Sequence, residues 1–430
     1  MRGRAKALLV LNFFLIYIVI YNVETYNIDY INHLLGFMII RQGFKYRLDT
    51  SETQSARLRV LCGHARFVWN QALAHCNELL DVKGEYVPRY ESMAKWVTRW
   101  KTEEETQWLD QAYTDNLQQK LKDLDTAWKR YFKKVNDAQR PRFKKKGKSR
   151  DSVRFVNFKK YCKLEGNRVK LPSGLGWVKF RKSRDIVGDI KNCTVGFDGG
   201  HWFVSFQTEQ KVKVPKHPSA SMIGVDLGIA RFMTLSDGSF ILPVNSFKTC
   251  QDKLARAQRA LAKKVRFSAN WKKQKAKINR IHTRIANIRR DYLHQASFAL
   301  SKNHAMIVIE DLKVSNMSRS AKGTEENPGT NVAAKSGLNK AILDQGWYEF
   351  RRQLTYKQVR LGGEVLAVPA HYTSQTCPEC QKVSAENRKT QSKFLCIKCG
   401  HEDHADWVGA KNVLARGHRV LACGETASAA

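Results

Sequence analysis

The sequence predicts a mixed α+β and α/β chain: a β-barrel-like module interrupted by a helical bundle, then an α/β domain that carries a four-cysteine insertion. Three observations lead there. Short segments of alternating apolar and polar residues gather at 38–48 and between 153 and 207. Two apolar strands further on each end in an acid, Asp226 and Glu310. Beyond them stand Cys377, Cys380, Cys396 and Cys399, spaced CxxC-x15-CxxC.

Residues 8–21 are nearly all apolar behind Arg2, Arg4 and Lys6, which resembles a secretory signal or anchor. The stretch is short for a span and carries Asn12. Residues 1–37 therefore read as an upstream extension from a misassigned start, with the fold beginning at Met38. Thr50, Ser51 and Glu52 mark a helix start, and apolar residues recur at three and four through residue 80. A second helical block at about 106–134 puts Leu117, Leu121, Leu124 and Trp128 on one core-facing stripe. The breaker-rich run that follows contains Arg142, Lys144, Lys145 and Lys146 and is expected to lie exposed, contacting backbone phosphates. Strands are expected at 153–158, 177–181, 193–197 and 202–207, the last two joined by a hairpin at Asp198-Gly199-Gly200-His201. Residues 211–220, with Pro215 and Pro218, read as a linker.

The second domain opens with a buried strand ending in Asp226, followed by Gly228, then a hairpin around Asp237-Gly238. Two long basic helices are expected at about 246–266 and 270–300. In the second, Ile278, Ile281, Ile285, Ile288 and Tyr292 form a packing seam, while Lys272, Lys273, Arg280 and Arg284 lie on other faces, placed to touch phosphates. A strand ending in Glu310 comes next, then a polar segment at 316–340 that reads as a mobile loop. A helix at 347–361, a strand at 364–368, the cysteine insertion and a short helix at 405–415 bearing Asp406 complete the pattern. The resulting partition is 1–37 extension, 38–218 first domain with its helical insertion at about 50–138, 219–372 first part of the second domain, 373–400 cysteine insertion, 401–417 last helix of the second domain and 418–430 tail.

Each CxxC turn sets two thiolates on one side of a tight knuckle, and two knuckles complete a tetrahedral all-sulfur site suited to Zn2+. With every coordination position taken by protein, such a site is structural. Asp226 and Glu310 at strand ends, with Asp406 on a following helix, are candidate ligands for hard cations; two Mg2+ ions about 3.5–4 Å apart would serve phosphodiester hydrolysis. Glu402 and Asp403 compete with Asp406, because spacing alone does not separate them, and Asp311 reads as a salt-bridge partner. The order strand–hairpin–strand–helix fits a ribonuclease H-like core.

Composition names the partner class. The formal charge is +36 on 430 residues, far beyond what solubility needs, which points to nucleic acid rather than a membrane surface. The six cysteines outside the insertion lack framework spacing, so a reduced cytoplasmic protein is expected.

From about Met38 to Gly417 the chain resembles the OrfB/TnpB family of insertion-sequence transposon proteins. The matching stretches are Ala65-Arg66-Phe67-Val68-Trp69-Asn70, the 141–146 run, Gly224-Val225-Asp226-Leu227-Gly228, Ile309-Glu310-Asp311-Leu312, Tyr372-Thr373-Ser374-Gln375-Thr376-Cys377, and Ala405-Asp406 through Lys411-Asn412. The resemblance implies a transposon-encoded, RNA-guided DNA endonuclease related to the type V CRISPR effectors. It implies a split RuvC-like domain with catalytic Asp226, Glu310 and Asp406 on Mg2+, and a zinc-bearing insertion that handles the target strand. Its partners would be a guide RNA from the transposon end, target double-stranded DNA and a transposase of the same element. The alternative function is a nuclease-inactive, RNA-guided DNA-binding regulator. Two departures bear on this. Val408-Gly409 stands where the family has Asn-Ala, and Gln381 stands where Gly is usual after the first knuckle.

Overall fold

Phe44, Tyr46 and Leu48 are buried between more exposed neighbours along β1 (Phe37–Asp49), the period of two that fits a strand with one face on a core. The computed structural model describes residues 36–423; the apolar stretch 8–21 and the proposed extension lie outside the described residues, apart from Gly36 and the strand start at Phe37. The chain divides after Lys213 into two units.

In the first unit, β1 is followed by α1 (Glu52–Asp81), whose start is fixed by a reciprocal cap between Ser51 and Gln54. Helices α2 (Tyr90–Thr102) and α3 (Thr114–Phe132) follow. The expected block at 106–134 begins instead as a 3-10 turn, Gln107–Gln111. Leu117, Leu121, Leu124 and Trp128 are buried with Met93, Val97 and Trp100 of α2 and Val68 and Leu73 of α1. The strands are β2 (Ser152–Phe155), β3 (Lys163–Glu165), β4 (Arg168–Leu171), β5 (Gly176–Phe180), β6 (Asp189–Asp198) and β7 (His201–Lys213), with a single helical turn, α4 (Phe158–Tyr161), after β2.

The expected barrel is not closed. The seven strands run in the order β2-β6-β7-β1-β5-β4-β3, and among the described residues β2 and β3 remain edges. On its edge away from β6 the four-residue β2 meets a helix rather than another strand, where its Arg154 N–H donates to Asn116 Oδ1 of α3 at 3.0 Å. An edge satisfied by a helix has no need of closure.

The second unit holds a five-stranded sheet in the order β10-β9-β8-β11-β12. Its strands are β8 (Met222–Asp226), β9 (Met233–Leu235), β10 (Phe240–Ile241), β11 (Met306–Glu310) and β12 (Glu364–Val368). β8, β11 and β12 are parallel, and β9 and β10 add an antiparallel edge. Helices α5 (Ser246–Ala262) and α6 (Ala269–Asn303) form the long basic hairpin. The segment expected as a loop at 316–340 takes in the end of α7 (Val314–Met317) and most of α8 (Val332–Gln345), before α9 (Trp347–Leu361). Two short strands, β13 (Lys393–Leu395) and β14 (Glu402–His404), pair in the cysteine insertion ahead of α10 (Ala405–Ala422).

Strand alternation sorts the sheet into two faces. Ile223, Val225, Ile307 and Ile309 pack against Leu293, Leu300, Phe350 and Leu354 of α6 and α9. Val308, Leu366 and Val368 pack against Val413 of α10 on the other face. Asp226 and Glu310 share the parity of Met222 and Val308, so both project on the α10 side. Among the described residues no helix is long and apolar enough to cross a membrane.

Candidate active site and metal centre

Parallel pairing sets Ile309 opposite Val225, so Glu310 follows Asp226 at the same end of adjacent strands. The helix α10 lies close over β8. A Cβ placed on Gly224 would sit 2.4 Å from the Ala410 carbonyl oxygen, and one on Gly409 would sit 3.2 Å from the Asp226 carboxylate. Contacts of 409 with 226 and of 410 with 224 run α10 antiparallel to β8, which carries Asp406, one turn earlier, to the acidic end of the strands.

The electrostatics agree with that placement. Burial, then the Glu310 charge, then the Asp406 charge push the Asp226 carboxyl up to about 8; Arg388 and the Leu227 N–H oppose them. Burial also raises Glu310, which is 8% exposed, against the pull of Thr373, Arg416 and Arg388. The Thr373 hydroxyl donates to Glu310 Oε1 at 2.6 Å. Asn412 of α10 holds that loop by donating to the Thr373 and Thr376 carbonyls at 2.8 and 2.7 Å. Sequence reasoning gave Thr373 and Asn412 no role; both stood in the matching stretches, and only the fold joins them.

The competing acids are engaged elsewhere. Asp403 accepts from Lys411 Nζ at 2.9 Å and Glu402 pairs with Lys393 at 2.7 Å. Asp311 pairs with Arg351. Asp226 is thus the acid on which the charges of both Glu310 and Asp406 act. Three oxygen donors with excess negative charge are a set that hard divalent cations fit. They are gathered more loosely than the cysteines. Among the described residues only Cys377, Cys380, Cys396 and Cys399 have their ligand atoms all within 4.8 Å of one another.

Within that cluster Cys377 Sγ lies 3.6 Å from Cys399 Sγ, and Cys380 Sγ 3.5 Å from Cys396 Sγ. A tetrahedron with metal–sulfur bonds of about 2.3 Å has edges of about 3.8 Å, so the four sulfurs could hold a metal ion. The knuckles match: Gln381 N–H donates to the Cys377 carbonyl and Gly400 N–H to that of Cys396, each at 3.0 Å. Both donors are left-handed, at φ +59° and +74°, so Gln381 carries a steric cost that glycine would not. The other departure, Val408, is fully buried with Cys377, Phe394, Cys396 and Ala405. Its side chain thus belongs to the apolar join between insertion and helix.

The basic residues divide. Arg142, Lys145, Lys146, Lys272, Lys273, Arg280 and Arg284 are exposed. Lys144 is not free: its Nζ lies 3.5 Å from the centre of the Trp69 ring. Asn70 brackets its backbone, donating to the Lys144 carbonyl at 3.0 Å and accepting from its N–H at 2.8 Å, while Trp69 Nε1 donates to the Arg142 carbonyl at 3.0 Å. α1 therefore fastens the basic run to the helical core, leaving the neighbouring cations outward.

The chain is similar to known proteins. Residues 205–321 match a family described as "Probable transposase", residues 347–413 one described as "Cas12f1-like, TNB domain", and residues 38–84 one described as "Helix-turn-helix domain". In this chain the last stretch is one strand and one unbroken helix. The chain is 55% identical over 384 residues to an Escherichia coli (strain K12) protein named "Putative RNA-guided DNA endonuclease InsQ", covering 89% of this chain and 94% of that one. It is 30% identical over 390 residues to a Streptomyces pristinaespiralis protein named "Putative RNA-guided DNA endonuclease", covering 90% and 92%. The protein in the cryo-EM structure of a Cas12f1-sgRNA-target DNA complex matches at a TM-score of 0.50 and 12% identity, over 87% of this chain and 98% of that chain, a likeness of fold.

Proposed function

The chain belongs to the OrfB/TnpB family of insertion-sequence transposon proteins, and from that premise we propose that it is a transposon-encoded, RNA-guided, metal-dependent DNA endonuclease. The observation that carries the reading is that Asp226 and Glu310 end adjacent parallel strands and that the charges of Glu310 and Asp406 both act on Asp226. In this reading those acids hold Mg2+ and the four cysteines hold Zn2+. Mg2+ supplies an activated water and charge neutralisation at the scissile phosphate. The protein's own groups orient the site: Thr373 fixes Glu310, Asn412 fixes the Thr373 loop, and Arg388 and Arg416 offset the negative charge.

The region 38–218 would hold guide RNA and heteroduplex, and the insertion at 373–400 the target strand. Arg142, Lys145, Lys146, Lys272, Lys273, Arg280 and Arg284 would meet backbone phosphates, with base pairing reading the sequence. The enzyme would work in the cytoplasm, beside a separate transposase of the same element.

Co-expression with the native flanking locus, followed by sequencing of the co-purified RNA, tests guidance. Incubating that complex with Mg2+ and a plasmid library matched to the RNA tests cutting. A discrete locus-derived RNA and chelator-sensitive cutting are expected. Discrete RNA without cutting favours the non-cleaving regulator, and no discrete RNA removes guidance. A finer outcome concerns Thr373→Val, which deletes the donor to Glu310 and nearly keeps its volume. Cleavage should fall about 10–100-fold, as when a ligand's supporting hydrogen bond is lost, and a Mg2+ titration should show that excess metal restores part of it.

A further inference from the structure

The tip of the α5–α6 hairpin combines three unusual features. Val265 and Phe267 are 79% and 62% exposed. Phe267 has φ +69°, a region that bulky residues rarely enter, and such outliers persist where something over-determines them. Between Asp252 and Asp291 the chain has 14 Lys and Arg and no acid.

The aromatic groups at the tip are arranged rather than scattered. Ser268 caps α6 by accepting from the Trp271 N–H at 3.1 Å, which fixes Trp271 in the first turn. Its ring centre lies 5.5 Å from that of Phe267. The Arg266 guanidinium sits 4.9 Å from the Phe267 ring centre, and Lys275 Nζ 5.0 Å from that of Trp271. A hydrophobic staple across a helix start would bury its rings against each other; here most of Phe267 stays in water. A cationic surface that leaves most of an aromatic ring exposed beside a guanidinium suits a flat, electron-rich ring attached to a phosphate chain.

We propose that the Phe267–Trp271 tip is a stacking platform for unpaired bases of RNA. The inference rests on the nucleic-acid reading above and adds to it a site that reads bases by their faces. RNA is the occupant because its loops and bulges keep bases unpaired and available for aromatic stacking, whereas target DNA exposes them only once it is opened.

The test uses the full-length protein and an RNA stem-loop whose unpaired adenosine loop carries one 2-aminopurine, with a fully paired RNA duplex as control. Phe267→Gly is the decisive variant, since glycine accepts the left-handed backbone and should raise the melting temperature rather than endanger folding. Wild type should quench the 2-aminopurine. Phe267→Gly should lose the quench and bind the loop about tenfold more weakly, with unchanged salt dependence and unchanged duplex binding. Lys272→Ala with Lys273→Ala should instead flatten the salt dependence on both RNAs. Equal quench and affinity in Phe267→Gly, or equal losses on loop and duplex, overturn the platform alone. A wild type that binds neither RNA overturns the underlying nucleic-acid reading. Ultraviolet cross-linking of the protein as purified with its RNA should attach RNA to the 265–271 peptide before DNA is added; a cross-link appearing only with target DNA overturns RNA as the occupant.

Discussion

Asp226→Asn is expected to abolish cleavage while making the metal-free protein more stable at pH 8.5. Burial, then the neighbouring acids, hold the folded carboxyl up to about 8, against about 3.9 in an unfolded chain. Below pH 4 both states keep the proton and the group has no effect. Between pH 4 and pH 8 the unfolded chain releases a proton that the folded chain retains, so stability declines as pH rises, by at most about 1.4 kcal/mol per unit. Above pH 8 the full cost is present, on the order of several kcal/mol before water entry is allowed for. Asparagine has no proton to release, so the gain should be largest at pH 8.5 and small at pH 5, read as melting temperatures in a chelator. Added Mg2+ should stabilise wild type by binding only the folded state and should do far less for the variant. RNA retention should match wild type. A variant that still cuts, or is less stable than wild type at both pH values, would exclude Asp226 from a crowded cation site.

The two strand-end acids were legible because each closes an apolar run short enough to be a strand and too apolar to be a surface. Spacing did not separate Asp406 from Glu402 and Asp403, since all lie within one turn of the helix start; in the fold Glu402 and Asp403 pair with Lys393 and Lys411, while the Asp406 charge acts on Asp226. Helix α2 escaped notice because Arg89 provides no side-chain cap and the segment is rich in tryptophan, threonine and valine. Its Met93, Val97 and Trp100 are held by partners from α1 and α3 instead. α8 escaped for a similar reason. Its Ser, Gly and Asn favour a loop, and it is fixed by tertiary bonds: Asn339 donates to the Ser318 and Arg319 carbonyls, and Asp344 accepts from the Ser246 hydroxyl and the Phe247 N–H. β3 and β4 are three and four residues long, too short for a period to register. The barrel expectation failed at the edges, because alternation identifies strands but not which of them meet.

Removing one thiolate of the four-cysteine cluster should have the largest effect on stability, and the damage should reach the carboxylates. Cys377 and Cys396 are buried in the same apolar cluster as Phe394, Ala405 and Val408. Two of those residues flank Asp406, so the insertion's core is also the seat of the first turn of α10. β13 and β14 are three residues each and cannot hold such an insertion without a clamp. Structural Zn2+ supplies roughly 10–16 kcal/mol in small zinc domains. Cys377→Ser is therefore expected to lose its metal, become protease-sensitive across 373–404 and cut at least a hundredfold more slowly. Gln381→Gly should move the other way, retaining zinc against a chelator longer than wild type, because it removes a left-handed cost of about 1–2 kcal/mol. Metal content, limited proteolysis and cleavage rate on the same preparations test this. If Cys377→Ser keeps both its metal and its rate, the four sulfurs are not what holds Asp406 in place.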